Sequence, residues 1–331
     1  MDKAEVNEIF NRFSKIRALV IGDAMVDTYL WGKVDRLSPE APVPIVSVTT
    51  RENRLGGAAN VSRNIQGLGA TPKLFAVVGD DDNGKEFLNL LEKRKVSAEG
   101  IFIDPSRNTT VKNRVISAGK QIVRIDEESI EYISEEMENR LIDAIKTELE
   151  TQQVDVIVFV DYNKGVVTPN LFKTINDLAQ EKGIPTSVDP KKQNFSNYKN
   201  VSLFKPNFKE FVEGTSFPLK KGDLAALKKA AETFKTRQQL KLILITLSEL
   251  GIFIINGDEE QYYPVAIRDI ADVSGAGDTV IAVASLAMAA GLSPKIIAQM
   301  SNLAGGLVCE KVGVVPVDQI QLKKEMKSQK I

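Results

Sequence analysis

The chain has 331 residues and a formal net charge of -1, so its charge gives no reason to expect a nucleic-acid partner. A single cysteine, Cys309, excludes an intrachain disulfide. The absence of histidine excludes Ser-His-Asp chemistry, a histidine-ligated zinc and a histidine general base.

The N-terminus carries acids and no apolar core of signal length. The longest apolar run, near 280–290, is too short to cross a bilayer. A soluble cytoplasmic protein without a membrane partner is therefore expected. In chain order, ALVIGD (18–23) reads as a buried strand ended by a turn, with Asp27 just beyond it. LGGAANVSRNIQGLG (55–69) sets Gly56 and Gly57 before a helix that carries Asn60. KLFAVVGD (73–80), DVIVFVDY (155–162), IPTSVDP (184–190), VSLFKPN (201–207) and LKLILITLSELGIFIING (240–257) read as further buried strands. Helical spacing of apolar residues covers 133–149, 168–182 and 224–237, and DVSGAGDTV (272–280) opens a long apolar helix. This alternation predicts one α/β domain over 12–320, with a mostly parallel central sheet and helices on both faces. Ligands of such sheets lie beyond the carboxyl ends of the strands.

Two stretches break the alternation. SPEAPVPIVSVTT (38–50) and residues 101–126 show period two, and the second contains a hairpin signal around SAGK, between 111–116 and 121–125. They read as a small β-lid at about 29–50 and 101–126, the alternative being an edge hairpin of the main sheet. The charged tail, 321–331, is expected to fray.

Two motif lookalikes fail. GDDDNGKE (79–86) has Glu86 where a phosphate-binding loop needs a hydroxyl, and Gly79 and Leu90 where a calcium loop needs acids. No dinucleotide fingerprint follows the first strand. Better candidates lie at the strand ends. Gly275, Ala276 and Gly277 precede a helix whose first amides and dipole favour an anion. Asp278 sits one turn in, where a carboxylate beside phosphates suits a general base for an attacking hydroxyl. A glycine-rich turn with an N-terminal helix acid accounts for the same residues. Gly56, Gly57 and Asn60 suit a hydroxylated ligand or a turn and cap, and Asp27 stands at the ligand edge. Asn207 and Glu210 in KPNFKE suit either Mg²⁺ held through water or a capping box.

Together these segments resemble the ribokinase-like, or PfkB, carbohydrate kinases. LGGAANVSRN is similar to the family's N-terminal signature and NFKE to its N-x-x-E motif. DVSGAGDTV is similar to its D-T-x-G-A-G-D signature, with Ser274 as a variant spelling. The resemblance runs over 15–320 and implies a ribokinase-like three-layer α/β fold with a β-lid, using ATP and Mg²⁺. It implies Asp278 as base, with Gly275, Ala276 and Gly277 as the anion hole. Asp27, Gly56, Gly57 and Asn60 would hold the sugar, and Asn207 and Glu210 would organise Mg²⁺ and nucleotide phosphates. Thr246, Ser248, Gly251, Asp272 and Asn302 would lie on the nucleotide side.

RLSPEAPVPIVSV, VVGDDDNGKEF, DYNKGVVTP, VDPKKQNFSNYKN and NLAGGLVCEKVG further resemble the heptose-phosphate kinases of ADP-heptose biosynthesis. That group phosphorylates O1 of D-glycero-D-manno-heptose 7-phosphate. In many bacteria this kinase is fused to a nucleotidyltransferase; at 331 residues a stand-alone kinase is expected here, with adenylyl transfer left to another polypeptide. The 7-phosphate requires cations, for which Lys112, Arg114, Lys164 and Lys191 are the candidates. Another sugar kinase of this family, acting on ribose, fructose or a hexose phosphate, is the alternative; a sugar- or nucleotide-binding regulator without catalysis is a further one. Family lids that pair imply a homodimer.

Overall fold

Buried strands alternating with amphipathic helices close into three layers. The computed structural model describes residues 2–256, 259–266 and 268–328, without the side chains of 259 and 260. Its first strands are β1 (Arg17–Gly22), β2 (Ala24–Leu37), β3 (Pro44–Gly57), β4 (Thr71–Gly79), β5 (Ile101–Asp104), β6 (Val111–Ser117) and β7 (Lys120–Glu127). The remainder are β8 (Val156–Val160), β9 (Thr186–Asp189), β10 (Leu203–Phe204), β11 (Leu242–Thr246), β12 (Ile252–Asn256) and β13 (Glu259–Tyr263). The helices are α1 (Lys3–Phe13), α2 (Ala58–Gly67), α3 (Asp82–Lys93), α4 (Glu135–Thr151) and α5 (Pro169–Glu181), then α6 (Phe208–Thr215), α7 (Leu224–Gln238), α8 (Ala276–Ala289), α9 (Pro294–Cys309) and α10 (Gln319–Ser328).

The central sheet runs β13-β12-β11-β10-β9-β8-β1-β4-β5. It is parallel from β11 to β5, while β12 and β13 add in antiparallel fashion. Both faces are covered, which is why its strands read as nearly continuous apolar runs. Ala18 and Val20 of β1 enter a core shared with α1, α2, α3, α8, α9 and α10. Leu19 and Ile21 point to the other core, filled by α4, α5, α6 and α7. Helix α8 is buried from Asp278 to Ala287, so it is apolar all round and lacks an amphipathic stripe.

A second sheet, β3-β2-β6-β7, forms the lid. It is longer than expected, because β2 begins at Ala24 and β3 runs through to Gly57. Residues 101–104 do not belong to it: β5 pairs with β4 at the edge of the central sheet. The single strand expected over 240–257 is two antiparallel strands, turned at Ser248–Leu250 by a short 3₁₀ segment, because Gly251 takes a backbone angle (φ 105°) that reverses the chain. Gly257 lies outside the described residues. The tail is helical through Ser328, because Leu322 and Met326 bury against the body; residues 329–331 lie outside the described residues.

Candidate active site

The carboxyl ends of β1, β8 and β9 converge on the N-terminus of α8. That helix starts from Gly275 in the left-handed region (φ 79°), where an added Cβ would stand 2.9 Å from Asn60 Nδ2. The bare glycine lets Asn60, on α2, donate to Asp278 Oδ2 at 2.7 Å. Tyr162, two residues past β8, donates its hydroxyl to Asp278 Oδ1 at 2.7 Å. Asp278 is buried, and burial pushes its carboxyl up to about 7. The bonds from Asn60 and Tyr162 pull it down, and the negative charges of Asp189 and Asp27 push it further up. The result is a carboxylate that exchanges a proton near neutrality, as a general base requires. Thr279 donates to Asn64 at 2.9 Å, so a second side-chain bond ties α8 to α2.

Beside Gly277 lies an ion pair that sequence reasoning did not find. Lys205 and Asp189 meet at 3.0 Å, with side chains 3% and 8% exposed. A Cβ added at Gly277 would stand 3.7 Å from Lys205 Nζ and 3.9 Å from Asp189 Oδ2. Positive charge and helix amides therefore share one place. Next to them Lys191 pairs with Glu210, its ammonium 5.1 Å from the centroid of the Tyr162 ring. Asn207 and Glu210 form the capping box of α6, with both bonds at 2.8 Å. Of the two readings open for this pair, the capping box is the one the geometry displays. One Glu210 oxygen accepts from the Asn207 amide and the other from Lys191. Among the described residues no group of three or more acids or cysteines could hold a metal ion.

Asp27 on β2 pairs with Arg114 on β6, both buried. Gly56 is required here because a Cβ would fall 2.1 Å from Asp27 Oδ2. Gly57 is the N-cap of α2, beside Asp23. Burial raises the Asp27 carboxyl even against Arg114. The four cations expected at a phosphate thus separate. Arg114 serves Asp27 and Lys191 serves Glu210, while Lys112 and Lys164 converge on Glu128.

On the opposite flank, Thr246 bridges to Asn207, and Ser248 and Gly251 shape the turn after β11. Asp272 accepts from the amides of Ser274 and Gly313 at 2.9 Å each, fixing the loop ahead of Gly275. Asn302 donates to the carbonyls of Tyr263 and Pro264 and lines a cavity of about 270 Å³ with Ala266 and Gln299.

Asp23, also missed, accepts from the amides of Tyr162, Lys164 and Val166 at 2.7–3.0 Å. Tyr162 and Asp23 had a signal, since each follows the apolar run of a strand at the ligand edge. The Lys205–Asp189 pair had none, because it forms only when β9 and β10 lie side by side.

Residues 15–320 match the family model described as pfkB family carbohydrate kinase. "Bifunctional protein HldE" of Trichlorobacter lovleyi is 38% identical over 323 residues, 97% of this chain and 65% of that protein. The protein of the same name from Pelobacter propionicus is 41% identical over 318 residues, 96% of this chain and 64% of its own length. The chain thus spans just under two thirds of these curated relatives. Phosphofructokinase-2 from Escherichia coli, solved with potassium, superposes with a TM-score of 0.78 at 19% identity, covering 95% of this chain and 98% of that one. Ribokinase of Arabidopsis thaliana, complexed with ribose and ATP, superposes at 0.71 and 16% identity, covering 93% and 98%. At these identities the two structures establish the ribokinase-like fold.

Proposed function

This chain belongs to the pfkB family of carbohydrate kinases, and on that premise we propose that it transfers the terminal phosphoryl group of ATP to O1 of D-glycero-D-manno-heptose 7-phosphate. One observation carries the chemistry: a buried carboxylate at Asp278, poised near neutrality at an amide-rich helix start. Asp278 accepts the proton of the O1 hydroxyl as the new O–P bond forms. The bond from the transferred phosphorus to the bridging oxygen breaks, ADP departs with that electron pair, and Asp278 returns its proton to solvent. The amides at Gly275 and Gly277, with Lys205 beside them, stabilise the charge on the transferring group, while the Ala276 amide, expected to join them, donates to the Val273 carbonyl at 3.3 Å.

Asp27, Gly56 and Gly57 hold the sugar, while Asn60 serves chiefly to orient the base. Thr246, Ser248, Gly251 and Asn302 line the nucleotide side, and Asp272 holds its loop. Mg²⁺ would be held through its waters by Asn207 and Glu210, whose carboxylate oxygens already accept from the Asn207 amide and Lys191. When bound it neutralises phosphate charge. The lid supports a homodimer, because Leu37, Val43, Val48, Val123 and Ile125 remain exposed on it.

The choice of heptose rests on the quoted segments that resemble heptose-phosphate kinases. ADP release from Mg·ATP against D-glycero-D-manno-heptose 7-phosphate, fructose 6-phosphate, ribose and fructose tests it. Preference for the heptose phosphate is expected. Turnover of ribose or fructose in its place would overturn the substrate and leave the chemistry.

A further inference from the structure

Glu128 lies just past β7 and belongs to no part of the machinery described above. Its carboxylate takes two lysines from separate parts of the fold. Lys164, in the loop after β8, reaches Oε1 at 2.7 Å, and Lys112, on lid strand β6, reaches Oε2 at 3.4 Å. The three side chains are withdrawn from solvent, at 25%, 11% and 13% exposed. Burial works against the charge of Glu128, yet Lys164 and Lys112 hold its carboxyl below the usual range.

The lysines stand at the edge of the sugar site. Lys112 is the direct partner of Asp27 in the pairing of β2 with β6. The Lys164 backbone is clamped on both sides, its amide donating to Asp23 at 3.0 Å and its carbonyl accepting from Arg107. Lys112 has a further partner in Asp126 at 3.2 Å, which Arg124 holds through two bonds. If Glu128 moves away, Lys112 thus keeps Asp126, and the Lys164 main chain stays fixed while its ammonium is released.

Two lysines converging on one carboxylate form a pair that can hold an anion. We propose that Glu128 is the resident counter-ion of the site for the substrate's own phosphate, and that it yields Lys112 and Lys164 to that phosphate on binding. This rests on the reading of the substrate as a phosphorylated sugar. A dianion repels Glu128 and takes both lysines, fastening the lid to the core. A neutral sugar leaves the lysines on Glu128, so the carboxylate acts as a specificity device as well as a plug.

The test uses the full chain and its Glu128→Gln, Glu128→Asp and Lys164→Met variants. KM is measured for heptose 7-phosphate and for ATP, with inorganic phosphate as inhibitor against the sugar. Lys164→Met should raise the sugar-phosphate KM by about tenfold or more, as loss of a charged hydrogen bond does, and leave the ATP KM unchanged. Glu128→Gln should lower both the sugar-phosphate KM and the inhibition constant of inorganic phosphate by about threefold or more, with Glu128→Asp close to wild type. If heptose 7-phosphate is a substrate but Glu128→Gln, melting as wild type, leaves both constants unchanged, this assignment is wrong. If the wild type uses only neutral sugars, the functional reading itself falls.

Discussion

Replacing Tyr162 with Phe removes one hydroxyl and nothing else from the contact with Asp278. That hydroxyl donates to the carboxylate at 2.7 Å and is one of the two bonds that lower a carboxyl standing at about 7. A hydrogen bond to a charged group contributes about 1.5–3 kcal/mol, and one pKa unit corresponds to about 1.4 kcal/mol. Losing it should move the Asp278 midpoint upward by about one to two units, with Asn60 still in place. The sign follows from the chemistry: the charged form loses a partner, so more alkaline conditions are needed to ionise it. The assay is the pH dependence of kcat/KM for the sugar, which reports the groups of the enzyme before the sugar binds. The wild-type acid limb should centre near the Asp278 midpoint, and the Tyr162→Phe limb should be displaced to higher pH. Near neutrality the variant should lose roughly tenfold, and it should recover at alkaline pH. An unshifted limb with the same loss at every pH would mean that Tyr162 only fills space.

Gly277→Ala separates the anion hole from the fold. The nearest atoms to the added methyl, at 3.7 and 3.9 Å, are in ordinary contact, so thermal stability should hold or rise, while the methyl obstructs the approach of the phosphoryl group and kcat falls by about 100-fold. Full activity in that variant would move the transfer away from the α8 N-terminus. The exposed apolar lid predicts a dimer mass by light scattering at micromolar concentration, and a monomer mass would remove the lid-to-lid pairing.

The layers were legible because β1 and β8, covered on both faces, left uninterrupted apolar runs, and helices such as α4 and α5 kept an apolar stripe. That a helix starts at Gly275 with Asp278 in its first turn was legible for a local reason: a glycine in the left-handed region followed by a long apolar run marks a helix start. The failures came where distant segments decide. The 240–257 run is apolar throughout, so only Gly251 marks the reversal between β11 and β12. The tail was expected to fray because Leu322 and Met326 are isolated among charges, yet they lie one turn apart and reach the core. Cations proved hardest to place. Lys112, Arg114, Lys164 and Lys191 each suit a phosphate by type, and the acids they meet, Glu128, Asp27 and Glu210, come from other elements, so no local signal shows those pairings.

The central claim is that Asp278 takes the proton of the attacking hydroxyl. The most direct measurement is ADP release by Asp278→Asn with ATP and heptose 7-phosphate, at a pH above the wild-type midpoint, alongside ATP affinity. Turnover should fall by about 100-fold to 10,000-fold while ATP binds as in the wild type, since an amide keeps the shape and cannot accept the proton. An unchanged rate would remove Asp278 from the mechanism.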